Sequence, residues 1–341
     1  MHKTLKTTLA ATVFAASLAL AQSRPASAAD PTMKLGLSMP TLNTPFFTVL
    51  VNAATAEAKA VNGSVVQTTN ANRDASQQVT DFRNLISAGA NAILAGVVDR
   101  AAIKPALDYA KSHNVPVVIV DDEPSAGKVY AVVRADNVAM GARAAEALAA
   151  ALTDKKGPIL NITGGLTTTN GRDRKDGFDD AFRKADPDAK IIEQTANWDG
   201  AASANVALTV LSGNPNIAGI YLATDTLYYD PVAAALKSRG RLVPVGAPGH
   251  IPIVAIDGGA SALKAIREGF LDATISQPVT DYAKIGVDYL AAALEGKPMK
   301  AGPTDHGSSV TKDGSYFVDE LPSPIVTKKN VDDAGLWGNA K

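Results

Sequence analysis

The chain has 341 residues, a formal net charge of −1 and no cysteine. The absent thiols exclude disulfides, thiolate nucleophiles, cysteine-ligated metals and a lipid-bearing cysteine. The mixed charge offers no basic face for nucleic acid.

The first residues read as an export address. Lys3 and Lys6 precede an apolar stretch over 9–21, and Ala26-Ser27-Ala28 follows as a small-residue cleavage site. That order predicts a cleaved signal peptide at 1–28 and a periplasmic destination. A buried N-terminal helix would not need all three features in sequence. Without Lys3, Lys6 and Arg24, 30 basic side chains stand against 34 acidic ones, or −4. No later segment is an apolar run of membrane-spanning length. The remaining chain exceeds the roughly 250–300 residues at which single cores stop growing, so two domains are expected.

Short apolar runs then alternate with amphipathic stretches. Strand-like runs cover 34–39, 65–69, 92–95, 116–120, 158–162, 191–195, 217–222, 253–256 and 273–276. Helical patterns rich in Ala, Leu, Lys and Glu cover 45–61, 76–88, 102–112, 138–152 and 202–211. Apolar runs without alternation, separated by helices, predict an α/β fold whose parallel sheets are covered on both faces. The alternation occurs twice, which predicts two doubly wound, Rossmann-like lobes. No Gly/Ser or Pro linker separates them. Strand-like crossings near Ala135, Gln277 and Leu321 would form a three-segment hinge. The expected division is 31–135 plus 278–321 for the first lobe and 136–277 plus 322–341 for the second. Asp230-Pro231 reads as a helix cap with Pro at the first helical position.

Seven segments fall at predicted strand ends or helix starts, where open α/β sheets bind ligands. Thr41-Leu42-Asn43-Thr44-Pro45-Phe46-Phe47 sets an amide beside two aromatics. Such a group suits a sugar, whose hydroxyls pair with the amide while a ring covers its C–H face. The plainer reading buries both Phe in the core. The run 116–122 ends on Asp121 and Asp122, the latter either a ligand acid or a solvated turn residue. The segment 172–178 opens a helix with Arg174, whose planar donors stay charged in a closed cleft. Trp198, between Asn197 and Asp199, is either a ring platform or a partly buried Trp. Asp225 follows one strand end, and Asp257-Gly258-Gly259 closes another. Gln277, after the run 273–276, can both donate and accept, as a hydroxyl partner must.

In order and spacing these segments resemble the ligand loops of the periplasmic ribose-binding proteins and their pentose- and hexose-binding relatives. The resemblance spans nearly the whole mature chain. It implies a type I periplasmic binding protein that captures a monosaccharide or small polyol for the membrane permease of an ABC importer. It implies ligand contacts at Asn43, Phe46, Phe47, Asp121, Asp122, Arg174, Trp198, Asp225, Asp257 and Gln277. Two positions depart from the family pattern. Ribose binders carry Arg where this chain has Asp122, and usually Asn where it has Asp225. Both changes move the expected specificity away from ribose. They also leave open a second reading, a binder of a cationic ligand such as an amino sugar.

A LacI-type repressor shares the implied fold but would need an N-terminal helix-turn-helix in place of the export signal. An enzyme would need further chemistry. The chain has no phosphate loop, no dinucleotide glycine fingerprint and no nucleophile elbow. His2, His113, His250 and His306 show no metal-ligand spacing. The expectation is therefore a monomer that is not an enzyme, with no catalytic residue, metal, cofactor or nucleic-acid partner.

Overall fold

The computed structural model describes residues 33–152 and 156–340. The expected signal peptide at 1–28 lies outside the described residues.

The first sheet begins with β1 (Met33–Met39), β2 (Gly63–Asn70), β3 (Ala92–Ala95), β4 (Val117–Val120) and β5 (Ala131–Ala135). The second follows with β6 (Ile159–Thr163), β7 (Ile191–Thr195), β8 (Gly219–Leu222), β9 (Ile253–Asp257) and β10 (Ala273–Ser276). The chain then returns to the first sheet through β11 (Gly302–Pro303), β12 (Ser309–Asp313) and β13 (Tyr316–Leu321), and to the second through β14 (Ile325–Val326). The first sheet runs β11-β12-β13-β5-β4-β3-β1-β2 and the second β14-β10-β9-β8-β6-β7. Pairings are parallel except those of β11 with β12, β12 with β13, and β10 with β14. Among the described residues, the polypeptide thus passes between the sheets three times. This is the α/β architecture with two parallel-sheet lobes that the twofold alternation predicted.

Central strands such as β3 and β4 are buried at every residue, because helices cover both faces. Those helices are α1 (Pro45–Ala60), α2 (Ala75–Ser87), α3 (Lys104–Ser112), α4 (Asn137–Leu152), α5 (Thr169–Ala185), α6 (Gly200–Gly213), α7 (Asp225–Ser238), α8 (Ala260–Glu268) and α9 (Val279–Leu294). Their starts carry the expected chemistry. Thr44 caps α1 by accepting from the Phe47 N–H, and Pro45 takes the first helical position. Asp74, Thr168 and Asp199 cap α2, α5 and α6 in the same way.

The close crossing of α4 and α5 sets the position of Arg174. A Cβ on Gly177 would strike the Val138 carbonyl, and one on Gly141 would strike the Arg174 carbonyl and Phe178 N. Two missing side chains let the helices touch through their backbones. That contact brings Asn137 of α4 against Arg174 of α5, with Arg174 Nε donating to Asn137 Oδ1 over 2.8 Å.

Three elements differ from expectation. The strand β5 and the ladder β11–β13 were not among the predicted runs. The segment β12 is a mostly exposed edge region of mixed polarity, without the apolar run that marks a buried strand. Pro231 does not open a helix; it sits inside α7, which starts six residues earlier. The buried face of Tyr228, Tyr229, Val232 and Leu236 continues through it and holds the helix together. Asp230, expected as the cap, instead accepts from Ser261 Oγ at 2.6 Å.

Candidate functional site

The strand ends of both sheets face one cavity of about 340 Å³. This is where ligands bind in open α/β sheets. Its wall includes residues in backbone conformations that L side chains seldom adopt. Asp121 has φ 73°, Trp198 φ 60°, Arg73 φ 64° and Asp257 φ 125°. Each stands at or just past a strand end. Backbone strain of this kind collects at functional sites when the surrounding structure enforces it.

Asp257 is the hub. Its Oδ1 accepts from Gln277 Nε2 at 2.7 Å and from Arg174 Nη1 at 3.2 Å. Its Oδ2 accepts from Thr226 Oγ1 at 2.9 Å and from Thr224 Oγ1. Arg174 is 2 % exposed and also donates from Nη1 to the Ala223 carbonyl at 2.8 Å. Burial works against its charge, but Asp257 and then Asp121 outweigh that and hold its pKa above the ordinary value. Gln277 is fixed in turn by Tyr282, whose hydroxyl donates to Gln277 Oε1 at 2.9 Å.

Asp121 comes from the opposite sheet. It is half-buried, and its Oδ1 accepts from Asn170 Nδ2 at 3.1 Å. Its open side faces the cavity rather than bulk water. Burial pushes its carboxyl up to about 7, with Arg174 opposing the shift and Asp122 adding to it. Asp122 is buried, and its Oδ1 accepts from the Glu123 N–H at 2.8 Å and the Thr169 N–H at 3.0 Å. Burial raises it to about 6 against those hydrogen bonds.

The aromatic expectations merge rather than compete. Phe46 and Phe47 are buried and also line the cavity. They pack edge to face at 5.0 Å, and Phe46 meets Trp337 edge-on at 6.0 Å. Trp198 is half-buried and lines the opposite wall. Its ring lies against Gly164 and Gly165, where any Cβ would collide with it. The Arg174 guanidinium lies 5.8 Å from its centroid, a cation–π distance.

Two expected residues lie elsewhere. Asn43 is exposed and outside the cavity wall; its neighbours Thr41 and Thr44 line it instead. Asp225 is buried behind the wall, and Thr224 faces the space. Asp225 Oδ2 accepts from the Gly258 N–H at 2.7 Å and Thr274 Oγ1 at 2.6 Å, and Oδ1 from the Gly259 N–H at 3.0 Å. It braces the loop that carries Asp257. Burial and then the neighbouring Asp257 push its carboxyl up to about 8.

Sequence reasoning missed Asn137, Asn170, Tyr282 and Trp337. Asn137 joins Arg174 to Asn170 through a 2.9 Å bond from its Nδ2 to Asn170 Oδ1. Trp337 donates from Nε1 to the Asp257 carbonyl at 2.7 Å. The run Thr167-Thr168-Thr169-Asn170 was a visible helix-start signal that could have drawn attention to Asn170.

Comparison with known proteins agrees with this geometry. The family model of the periplasmic binding protein domain matches residues 35–298. The chain belongs to that family. The ribose import binding protein of Bacillus subtilis is 30% identical over 270 residues, covering 78% of this chain and 83% of that protein. The D-allose-binding periplasmic protein of Escherichia coli is 28% identical over 261 residues, covering 74% and 82%. An ABC transporter periplasmic solute-binding protein from Actinobacillus succinogenes, solved with bound D-allose, superposes with a TM-score of 0.76 at 25% identity, covering 88% of this chain and 99% of that one.

Proposed function

We propose that this protein is a periplasmic solute-binding protein of an ABC importer and captures a monosaccharide or small polyol between its lobes. The observation that carries this is the cavity's composition. Carboxylates, amides and the guanidinium groups of Arg73 and Arg174 converge from two sheets, and aromatic rings stand on opposite walls. Hydroxyls can donate to Asp121 and Asp257 and accept from Arg174, Asn170 and Gln277. The Phe47 and Trp198 rings would cover an apolar ring face between them. The names and bound ligand of the relatives, ribose and D-allose, support the same class.

The first lobe is 31–135 plus 278–321 and the second 136–277 plus 322–341, with closure about the three crossings. A ligand touching both lobes binds the closed form better and shifts the population toward it. The protein then docks on the permease as a monomer, and no reaction occurs in the cavity. The signal peptide at 1–28 delivers it to the periplasm. Asp225, buried behind the cavity wall and turned to the Gly258, Gly259 and Thr274 donors, does not reach an amine in the cavity. This favours a neutral ligand over an amino sugar.

A thermal-shift panel of pentoses, hexoses, alditols and amino sugars tests this. A ligand that binds only the native state raises the melting temperature by mass action. A neutral sugar or alditol should give the largest rise. Shifts by amino acids or metals alone would overturn the reading.

A further inference from the structure

Asp122 stands where the ribose-binding pattern has a ligand-binding Arg, and the chain has reversed its charge. The structure shows what this carboxylate touches. Its Oδ1 accepts from the Thr169 N–H, the first residue of α5, at 3.0 Å. Asp122 belongs to the loop after β4 in the first sheet, and α5 packs with the second. The bond therefore crosses the cleft.

It does not cross alone. Asp121 takes the Asn170 amide at 3.1 Å, and Glu123 takes the Thr169 hydroxyl at 3.5 Å. Three consecutive acids of one lobe meet the opening turn of a 17-residue helix in the other. Such a turn presents N–H groups that need partners from outside the helix ladder, and the positive end of the helix dipole. Behind them, Arg134 of β5 reaches Asp173 of α5 at 3.4 Å and Glu123 at 3.3 Å. Asp122 and Thr169 are each 3 % exposed, so the contact is desolvated.

Asp122 lines the cavity, but its Oδ1 is taken by the backbone N–H groups of Glu123 and Thr169. We propose that Asp122 is a clasp between the lobes rather than a ligand contact. Its carboxylate holds the N-terminal turn of α5 when the cleft is shut and so slows ligand release. The inference rests on the reading of the cavity as a site that closes over its ligand. It adds that closure stabilises itself through protein–protein contact, independent of which solute lies inside.

Two single substitutions remove the bond from opposite sides. Asp122→Ala removes the acceptor. Thr169→Pro removes the donor at the first helical position, where Pro is tolerated. The preceding Thr168 already has the extended φ −98°, ψ 152° that a following Pro requires. The chain has no cysteine, so spin labels at Thr80→Cys on α2 and Asn205→Cys on α6 report the inter-lobe distance without background. In ligand-free protein, both variants should lose part of the short-distance population. For the best sugar found, each should raise the dissociation rate roughly tenfold, and the double variant should be no worse than Thr169→Pro alone, which also removes the hydroxyl that Glu123 takes. The order of preference among sugars should stay unchanged. A reordered preference in Asp122→Ala would make it a ligand contact and overturn the proposal. Additive losses, or distances and release rates like the wild type, would do the same. If no sugar binds the wild type, the proposed function fails, and the ligand-free distances still decide the clasp.

Discussion

Asp257 and Asp121 face each other across one cavity but are held differently. Both oxygens of Asp257 are committed to side chains of its own half or the crossing beside it: Arg174, Gln277, Thr224 and Thr226. Asp121 has one side-chain partner, Asn170, and it comes from the other half. Apart from Tyr282, which braces Gln277 from the segment after it, the second lobe therefore assembles its half of the site from its own side chains. The first lobe supplies a carboxylate whose side-chain partner comes from the second. Preorganisation favours affinity because little is lost in ordering the groups. The less committed half is where closure can be coupled to occupancy.

The largest effects should follow from breaking the built half. Arg174→Ala or Asp257→Ala strands a buried partner and should cost about 3–5 kcal/mol of stability. Either should also weaken binding by roughly a hundredfold or more. Urea unfolding and calorimetry check the two effects separately, and wild-type behaviour in both variants would remove the hub from the account. Trp198→Ala should come next, weakening affinity roughly ten- to hundredfold while moving the unfolding midpoint little, because the ring is half-exposed on a glycine floor.

Asp121 should show itself through pH. Enclosure raises its folded pKa to about 7, above the unfolded value of about 4. Between those values the native state binds more protons than the unfolded one, so ligand-free stability should fall as pH rises through this window. Asp122 and Asp225 are raised over the same window, so Asp121→Asn should reduce that slope in part, and should stabilise the empty protein near pH 8 while weakening ligand binding. An unchanged slope would contradict the enclosure. The smallest contrast separates neighbours. Thr44→Ala should lose the α1 cap at a cost of about 1 kcal/mol. Exposed Asn43→Ala should stay within about 0.5 kcal/mol in stability and leave affinity unchanged.

Thr44 and Asn43 also mark how far the sequence could be read. The parallel lobes were legible because buried strands such as 92–95 are unbroken apolar runs between helical patterns. Asp121, Arg174, Trp198, Asp257 and Gln277 were legible as cavity-wall candidates because each lies at or just past a strand end or in the first two turns of a helix. The ladder β11–β13 was not, since edge strands lack the apolar run. Direction was not legible either. In an extended stretch successive side chains point to opposite sides. Thr44 and Thr224 are both extended caps, with φ −127° and −152°, and each faces the cavity while its neighbour, Asn43 or Asp225, does not. A one-residue difference in turn geometry decides which of two polar residues faces the cavity.

The most direct measurement uses the two tryptophans, Trp198 on the cavity wall and Trp337 behind Asp257. Fluorescence should be titrated with the sugar that gives the largest melting shift, in wild type and in Trp198→Phe, with calorimetry run alongside. A saturable emission change is expected in the wild type. In Trp198→Phe that change should be largely lost, although calorimetry still detects binding to the remaining aromatic. An equal emission change in both proteins, or binding heat with no change in the wild type, would place the ligand away from this cavity wall and contradict the account.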